Sequence, residues 1–81
     1  MTFQIFISTP SAKTTIFEVD PDTLLVKDLK KMIQEREGID VQAQRLIFSG
    51  KQMDDEYTLS HYKITEHSTV KVVMRLLGGK L

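Results

Sequence analysis

The chain has 81 residues, of which 41% are hydrophobic and 27% are charged, and its 11 basic side chains balance its 11 acidic ones. A formal net charge of zero excludes a general electrostatic attraction to nucleic acid or to an acidic membrane. The lack of cysteine excludes disulfides and thiol nucleophiles, and no apolar run approaches the ~20 residues of a transmembrane helix. We therefore expect one monomeric domain of the cytoplasm and nucleus that binds neither nucleic acid nor membrane.

The chain opens with two predicted strands joined by a tight turn. Apolar residues alternate with polar ones along Phe3–Ser8 and along residues 13–19, as in strands with one buried face. Residues 9–12 have the composition of a turn, so the two strands should form a hairpin. The side chains predicted to face the core are Phe3, Ile5, Ile7, Thr15, Phe17 and Val19.

One amphipathic helix is predicted over residues 24–37. The apolar residues at helical spacing are Val26, Leu29 and Ile33. Asp22 or Thr23 is predicted to cap the N-terminus of this helix through its side-chain oxygen. Gly38 is predicted to end the helix because glycine adopts the left-handed conformation without steric cost.

Three further strands are predicted at residues 44–48, 51–53 and 69–76. A solvated acidic loop at residues 54–56 and a turn-rich segment separate the last two. The element order is then β-β-α-β-β-β. Because a lone helix of this length is marginal in water, it should lie across one face of a mixed sheet, which gives a two-layer α+β domain.

Alternation in the third and last strands predicts which side chains point away from the helix. The inward set is Leu46, Phe48, Val70, Val72 and Met74. Ile47 and Val73 then point outward. The basic residues expected around them are Arg45, Lys71 and Arg75, with Lys51 as a further candidate. A small apolar spot ringed by positive charge suits a partner with an apolar anchor and acidic flanks, although isolated exposed aliphatic residues are ordinary on protein surfaces.

The last predicted strand runs into a tail with two adjacent glycines, Gly78 and Gly79. Two residues without Cβ atoms form a thin backbone ribbon that can thread into a narrow enzyme channel. A C-terminal carboxylate needs such a ribbon if it is to be activated and transferred to another molecule. A frayed, glycine-rich terminus is the alternative interpretation of the same residues.

Other clusters of polar residues do not indicate a catalytic or metal site. His61 and His67 have no cysteine or convergent carboxylate pair to complete a metal site. Residues 54–56 lack the glycine and the spacing of a calcium loop, and the sequence contains no Ser-His-Asp arrangement or phosphate-binding loop. We predict no cofactor, no metal and no intrinsic enzymatic activity.

Four motifs in order along the chain resemble those of the ubiquitin-like modifier family. They are Glu37-Gly38-Ile39, residues 44–52 (QRLIFSGKQ), Thr58-Leu59-Ser60 and Gly78-Gly79. The resemblance covers the chain from Gln4 to Gly79, and residues 49–56 are closer to the neddylation modifier than to ubiquitin. It implies the β-grasp fold, which agrees with the element order predicted above.

The resemblance also implies that the chain is a protein modifier. An activating enzyme would adenylate the carboxylate of Gly79, which Gly78 helps to present. Conjugating and ligating enzymes would then join that carboxyl to a lysine of a target protein as an isopeptide bond, and deconjugating proteases would release it. The modifier is a substrate in this chemistry, and the nucleophilic residues belong to its enzymes.

The resemblance further assigns roles to surface residues. The implied partner-binding positions are Arg45, Ile47, Lys71, Val73, Arg75 and Leu76, and the candidate acceptors for chain formation are Lys13, Lys30 and Lys51. Lys71 replaces a family histidine and Pro10 replaces a family leucine, so this patch should be smaller and more basic. Ala12 replaces a turn glycine, and we expect it to reshape the first turn because alanine disfavours positive φ.

We divide the chain into a β-grasp domain over residues 1–76 and a tail over residues 77–81. Lys80 and Leu81 would be a cleaved pro-extension or residues added for expression, since Gly79 must be terminal before activation. Two alternatives to a conjugated modifier stay open. One is a non-conjugated ubiquitin-like interaction domain within a longer chain, and the other is a cleaved fusion partner of a ribosomal protein.

Overall fold

The computed structural model describes residues 1–75 and shows a five-stranded mixed sheet crossed by one α-helix. The elements are β1 (Phe3–Ser8), β2 (Thr14–Val19), α1 (Val26–Glu37), β3 (Gln44–Phe48), β4 (Lys51–Gln52) and β5 (Thr69–Met74), with 3-10 turns at Val41–Ala43 and Leu59–Tyr62. The predicted β-β-α-β-β-β order and the α+β, β-grasp fold class are confirmed. None of the helices in residues 1–75 is long and apolar enough to cross a membrane.

The sheet has the strand order β2-β1-β5-β3-β4. β1 and β5 lie side by side in parallel at its centre, while β2 pairs with β1, and β3 with both β5 and β4, in antiparallel fashion. The first and last strands of the chain are therefore neighbours. This arrangement delivers the end of β5 to the same sheet that presents β3, which matters for the site below.

The core lies between the sheet and α1. Its fully buried side chains include Ile5, Ile7, Phe17, Val26, Leu29, Ile33, Leu46, Leu59, Val70 and Val72. The predicted inward sets are confirmed at these strand positions, with Thr15 also buried and Phe3 and Phe48 half-buried at the margin. Burial of aliphatic and aromatic side chains at about 25 cal/mol per Å² is the main stabilising contribution to such a small domain.

Met74 lies on the same face as Val70 and Val72, as predicted, because it pairs with the buried Gln44, but it stands at the end of β5 and 52% of it is exposed. Its cross-strand partner Gln44 occupies the buried place at that end of the sheet instead. The side-chain Nε2 of Gln44 donates to the carbonyls of Lys30 (2.8 Å) and Ile39 (3.0 Å). Met74 takes no part in these hydrogen bonds and lines a cavity of about 320 Å³ with Pro10 and Ile39.

The helix begins at Val26, and neither Asp22 nor Thr23 caps it. Its N-cap residue is Leu25, whose side chain offers no acceptor. Backbone carbonyls of the loop at residues 54–57 accept from the first helical N–H groups instead. The two bonds run from Val26 to Tyr57 (2.9 Å) and from Lys27 to Asp55 (3.2 Å). The predicted cap was wrong because these acceptors come from a segment distant in the sequence, which no local signal indicates.

Positive φ angles mark the turns. Gly38 has φ 75° and ends α1, as predicted, and Ser49 and Gly50 form the β3–β4 turn with φ 53° and 76°. Ala12 has φ 65°, so the expectation that alanine would reshape the first turn was wrong at this torsion. The turn keeps the conformation that glycine favours, at a steric cost of about 1–2 kcal/mol.

Three predicted strand limits also need correction. β2 begins at Thr14 rather than at residue 13. β4 ends at Gln52, although the backbone N–H of Met53 still donates to the carbonyl of Leu46 (2.8 Å) and its side chain is buried in the core. β5 ends at Met74. Leu76, which the prediction placed in this strand, and the predicted boundary between domain and tail lie outside the described residues.

Candidate functional site

The pairing of β3 with β5 brings four of the predicted partner-binding residues together. Arg45 lies opposite Val73, and Ile47 lies opposite Lys71. Cross-strand partners have their side chains on the same face of a sheet, so these four form one cluster on the face turned away from α1. We call this cluster the outward patch. Ile47 and Val73 are half-buried within it, and Lys71 is exposed.

The sequence predicted only part of what borders the outward patch. Gln52 lies opposite Ile47, and Ser8 lies beside Lys71 on β1, so two neutral polar residues border the patch. Lys51 pairs with Phe48, which places it on the other face of the β3–β4 hairpin, so the expectation that Lys51 joins the patch was wrong. The turn at Ser49 and Gly50 sets this register, and the length of a turn is hard to judge from sequence.

The two arginines of the site differ in how they are held. The buried Nε of Arg45 has no hydrogen-bond partner among residues 1–75, and an unsatisfied buried donor costs about 1–3 kcal/mol. Arg75 is anchored, because its Nε donates to the carbonyl of Gln42 (2.7 Å) and its backbone N–H to that of Ala43 (2.9 Å).

The anchored Arg75 is the last residue that the structure describes. The chain therefore leaves the sheet beside the start of β3 and close to Arg45, because Met74 pairs with Gln44 and Val73 with Arg45. The remaining predicted site residues, Leu76, Gly78 and Gly79, lie outside the described residues. Arg75, the last described residue, therefore lies at the end of the sheet that also carries Arg45.

The three candidate acceptor lysines have different surroundings. Lys13 is exposed and lies 3.5 Å from a carboxylate oxygen of Glu37. Lys30 is the least accessible, since its side chain is 11% exposed and its Nζ lies 2.7 Å from Asp55. Lys51 is exposed and forms no salt bridge within residues 1–75. Lys13 and Lys51 are both exposed, and Lys51 alone of the three has no salt-bridge partner among residues 1–75.

Comparison with known proteins gives a match to the Ubiquitin family model over residues 5–77. The ubiquitin-like protein NEDD8 of Dictyostelium discoideum is 39% identical over 75 residues, which cover 93% of this chain and 96% of that protein. The NEDD8-like protein RUB3 of Arabidopsis thaliana is 34% identical over 77 residues, with 94% and 96% covered.

A relative of another kind is the AN1-type zinc finger protein 4 of Mus musculus. It is 32% identical over 80 residues, which cover 99% of this chain but only 11% of that protein. The similar proteins thus include small ones matched almost from end to end and a large one matched over a small part.

Proposed function

Because this chain belongs to the ubiquitin family, we propose that it is a modifier conjugated to other proteins through the carboxylate of Gly79. An activating enzyme adenylates this carboxylate with ATP and takes it up as a thioester. Conjugating and ligating enzymes then transfer it to the amine of a target lysine, and deconjugating proteases hydrolyse the isopeptide bond. In this scheme the chain is a monomeric substrate of enzymes in the cytoplasm and nucleus.

The observation that carries the proposal is the near end-to-end similarity to NEDD8-like proteins, which covers at least 93% of this chain and 96% of each of the two relatives described above. The described geometry supports it as well. Arg75 fixes the point at which the chain leaves the sheet, and the outward patch lies beside that exit. One enzyme surface could therefore contact the patch and receive the residues that follow.

In this proposal the outward patch is the recognition surface. Ile47 and Val73 supply apolar contact area, while Lys71 and Arg45 of the patch, with Arg75 beside it, attract acidic flanks of an enzyme. An interface centred on two half-buried aliphatic residues is small, on the order of 1,200 Å² or less in total, and such interfaces are transient. Transient contact suits a substrate that passes from one enzyme to the next.

A second candidate function is a non-conjugated ubiquitin-like domain that binds partners through the outward patch. The match to a small part of a much larger zinc finger protein favours it, because that relative carries this kind of sequence within a longer chain. Under this candidate, Gly78 and Gly79 would have no role as a reactive terminus.

The decisive experiment uses the chain shortened to end at Gly79. It is mixed with ATP and, separately, with the activating enzymes of ubiquitin and of NEDD8. We expect a slower-migrating enzyme band with one of them that disappears on adding a thiol reductant, because thiols cleave thioesters. The enzyme that gives the band identifies the pathway.

The matched control is Gly79→Ala in the same shortened chain. The added methyl group should hinder entry of the tail into the channel of the enzyme, so the reductant-sensitive band should be lost while the fold is unchanged by circular dichroism. An equally strong band from the Gly79→Ala variant would contradict the proposed role of Gly79. Lack of any band with both enzymes, alongside charged ubiquitin and NEDD8 controls, would favour the non-conjugated domain.

A further inference from the structure

A second surface with its own chemistry lies on the side of the β3–β4 hairpin that carries Lys51. It is a cavity of about 450 Å³ lined by Phe48, Ser49, Lys51, His61, Tyr62 and Lys63. We call it the hairpin pocket. Its volume lies within the range of binding pockets in proteins. The register places it apart from the outward patch, because Lys51 pairs with Phe48 whereas Gln52 pairs with Ile47.

The positive charge of the hairpin pocket is not neutralised by the surrounding described residues. No carboxylate is among the lining residues, and neither Lys51 nor Lys63 forms a salt bridge within residues 1–75. Of the three acidic residues in the nearby loop, Asp54 donates its backbone N–H to the Tyr62 hydroxyl and forms no salt bridge within residues 1–75, and the other two pair with α1. Asp55 pairs with Lys30 (2.7 Å) and Glu56 with Lys27 (3.4 Å) on α1. The pocket is therefore complementary to a negatively charged ligand.

The aromatic wall of the pocket is already ordered. The His61 ring stacks on Tyr57 with centroids 4.1 Å apart and planes 9° apart, and it meets Tyr62 edge to face at 4.9 Å. The Tyr62 hydroxyl accepts from the backbone N–H of Asp54 at 2.7 Å. Rings fixed in this way lose little entropy when a ligand packs on them.

Lys63 occupies a backbone position that suits lysine poorly. It has φ 61° and ends the 3-10 turn Leu59–Tyr62, with its N–H directed at the carbonyls of Leu59 and Ser60. A non-glycine residue in the left-handed region costs about 1–2 kcal/mol. Glycine would satisfy the same backbone bonds without that cost, and the lysine at this position instead adds a second ammonium group to the pocket beside that of Lys51.

We propose that the hairpin pocket binds a carboxylate-rich peptide segment of a partner protein. Acidic side chains of the segment contact the ammonium groups of Lys51 and Lys63, and one apolar side chain packs on Phe48 and Tyr62. This binding does not depend on conjugation through Gly79, so either proposal can fail without the other. It would also cover Lys51, the candidate acceptor lysine that forms no salt bridge within residues 1–75.

The test titrates the full ¹⁵N-labelled chain with a short capped peptide that is rich in glutamate and contains one central phenylalanine. We expect saturable shifts of the amide signals of Ser49, Lys51, His61, Tyr62 and Lys63, and weaker binding at higher salt. A peptide with glutamine in place of every glutamate should bind much more weakly. Equal affinity for both peptides would overturn the proposal, as would a lack of shifts with the acidic peptide.

Matched variants locate the binding. Lys51→Gln combined with Lys63→Gln should weaken binding of the acidic peptide about tenfold, since each exposed ion pair is worth up to about 1 kcal/mol. Lys31→Gln, at an exposed helix position, changes the net charge by one unit elsewhere and should leave the affinity within about twofold. An unchanged affinity in the double variant, with an unchanged unfolding midpoint, would overturn the proposal.

Two further outcomes would assign the binding to something else. If Lys71→Gln abolishes peptide binding and the shifts cluster at Ile47 and Val73, the outward patch is the acidic-peptide site. If inorganic tripolyphosphate or a single-stranded oligonucleotide shifts the pocket amides and the acidic peptide does not, the pocket selects phosphate. Either result would contradict the assignment of a carboxylate-rich segment to the hairpin pocket.

Discussion

Leu46 and Ile47 are neighbours in β3, but they lie on opposite faces of the sheet. Leu46 is fully buried against the helix side, whereas Ile47 is half-buried on the outward patch opposite Lys71. Successive side chains of a strand point to opposite faces of the sheet, so one face of β3 packs in the core and the other is free to contact partners. In a small domain this separation lets the contact surface vary while the core keeps the fold.

The largest expected effect comes from this adjacent pair. Leu46→Ala should lower the free energy of unfolding by about 2–5 kcal/mol, because it leaves a cavity in the core. Ile47→Ala removes a half-buried side chain and should cost about 1 kcal/mol, while weakening thioester formation with the activating enzyme. Urea unfolding followed by circular dichroism gives the stabilities. Equal losses of unfolding free energy in the two variants would contradict the separate roles of Leu46 in the core and of Ile47 on the outward patch.

A smaller loss of unfolding free energy is expected when the salt-bridge partner of a nearly buried lysine is removed. Lys30 is nearly buried and its Nζ lies 2.7 Å from Asp55, so Asp55→Asn would leave the ammonium without a carboxylate. We expect a loss of about 1–2 kcal/mol, less than for a fully buried pair because Asp55 is half-exposed. Glu56→Gln, which removes the exposed 3.4 Å pair with Lys27, is the matched control and should cost less than about 0.5 kcal/mol. Similar losses of unfolding free energy in the two variants would contradict the expectation that the burial of Lys30 strengthens its salt bridge.

A substitution in the turn between β1 and β2 should raise the stability of the protein. Ala12 has φ 65°, so Ala12→Gly should raise the unfolding free energy by about 1 kcal/mol through relief of steric strain. Ser11, which has no positive φ, provides the control. Ser11→Gly should lower stability by several tenths of a kcal/mol, because it adds freedom to the unfolded chain and removes the hydrogen bond between the hydroxyls of Ser11 and Thr9 (3.1 Å). Thermal unfolding of both variants tests this, and a destabilised Ala12→Gly protein would contradict the assigned strain.

The smallest effect is expected at the exposed turn before α1. The N–H of Asp22 donates to the Asp20 carboxylate (3.1 Å) and, together with the N-terminal ammonium (3.4 Å), holds the pKa of Asp20 below its usual value. A lowered folded-state pKa gives stability that is present above the unfolded pKa and is lost as pH falls through the folded one. An NMR titration should therefore give an Asp20 midpoint below that of an unfolded aspartate. A midpoint at or above that of an unfolded aspartate would contradict the assignment.

The sequence predicted the parts of the fold that depend on local pattern. Alternation gave the inward residues of β1, β2 and β3, and glycine at residue 38 gave the end of α1 correctly. The start of α1 was wrong because its acceptors come from residues 54–57. Alternation assigned Met74 to the correct face but did not predict its exposure, because Gln44, a polar residue, closes that end of the core through two hydrogen bonds to backbone carbonyls.

For the site, the sequence predicted the outward parity of Ile47 and Val73 but not the register between strands. Register decides that Gln52 borders the outward patch and that Lys51 lies at the hairpin pocket. The pocket itself joins β3, β4 and the 3-10 turn Leu59–Tyr62, which are not adjacent in sequence. No sequence pattern links these residues, and only their arrangement in space shows them as one cationic and aromatic surface.

The most direct test of the modifier proposal is to identify the bond that the chain forms. The chain ending at Gly79 would be isotope-labelled and added with ATP to an extract of the cells that make it, and the products would be sequenced by mass spectrometry. The proposal predicts peptides in which the labelled Gly79 carboxyl is joined to the side-chain amine of a lysine in another protein. If the labelled chain is recovered only with a free Gly79 carboxylate, while ubiquitin conjugates form in the same extract, the chain is not a conjugated modifier.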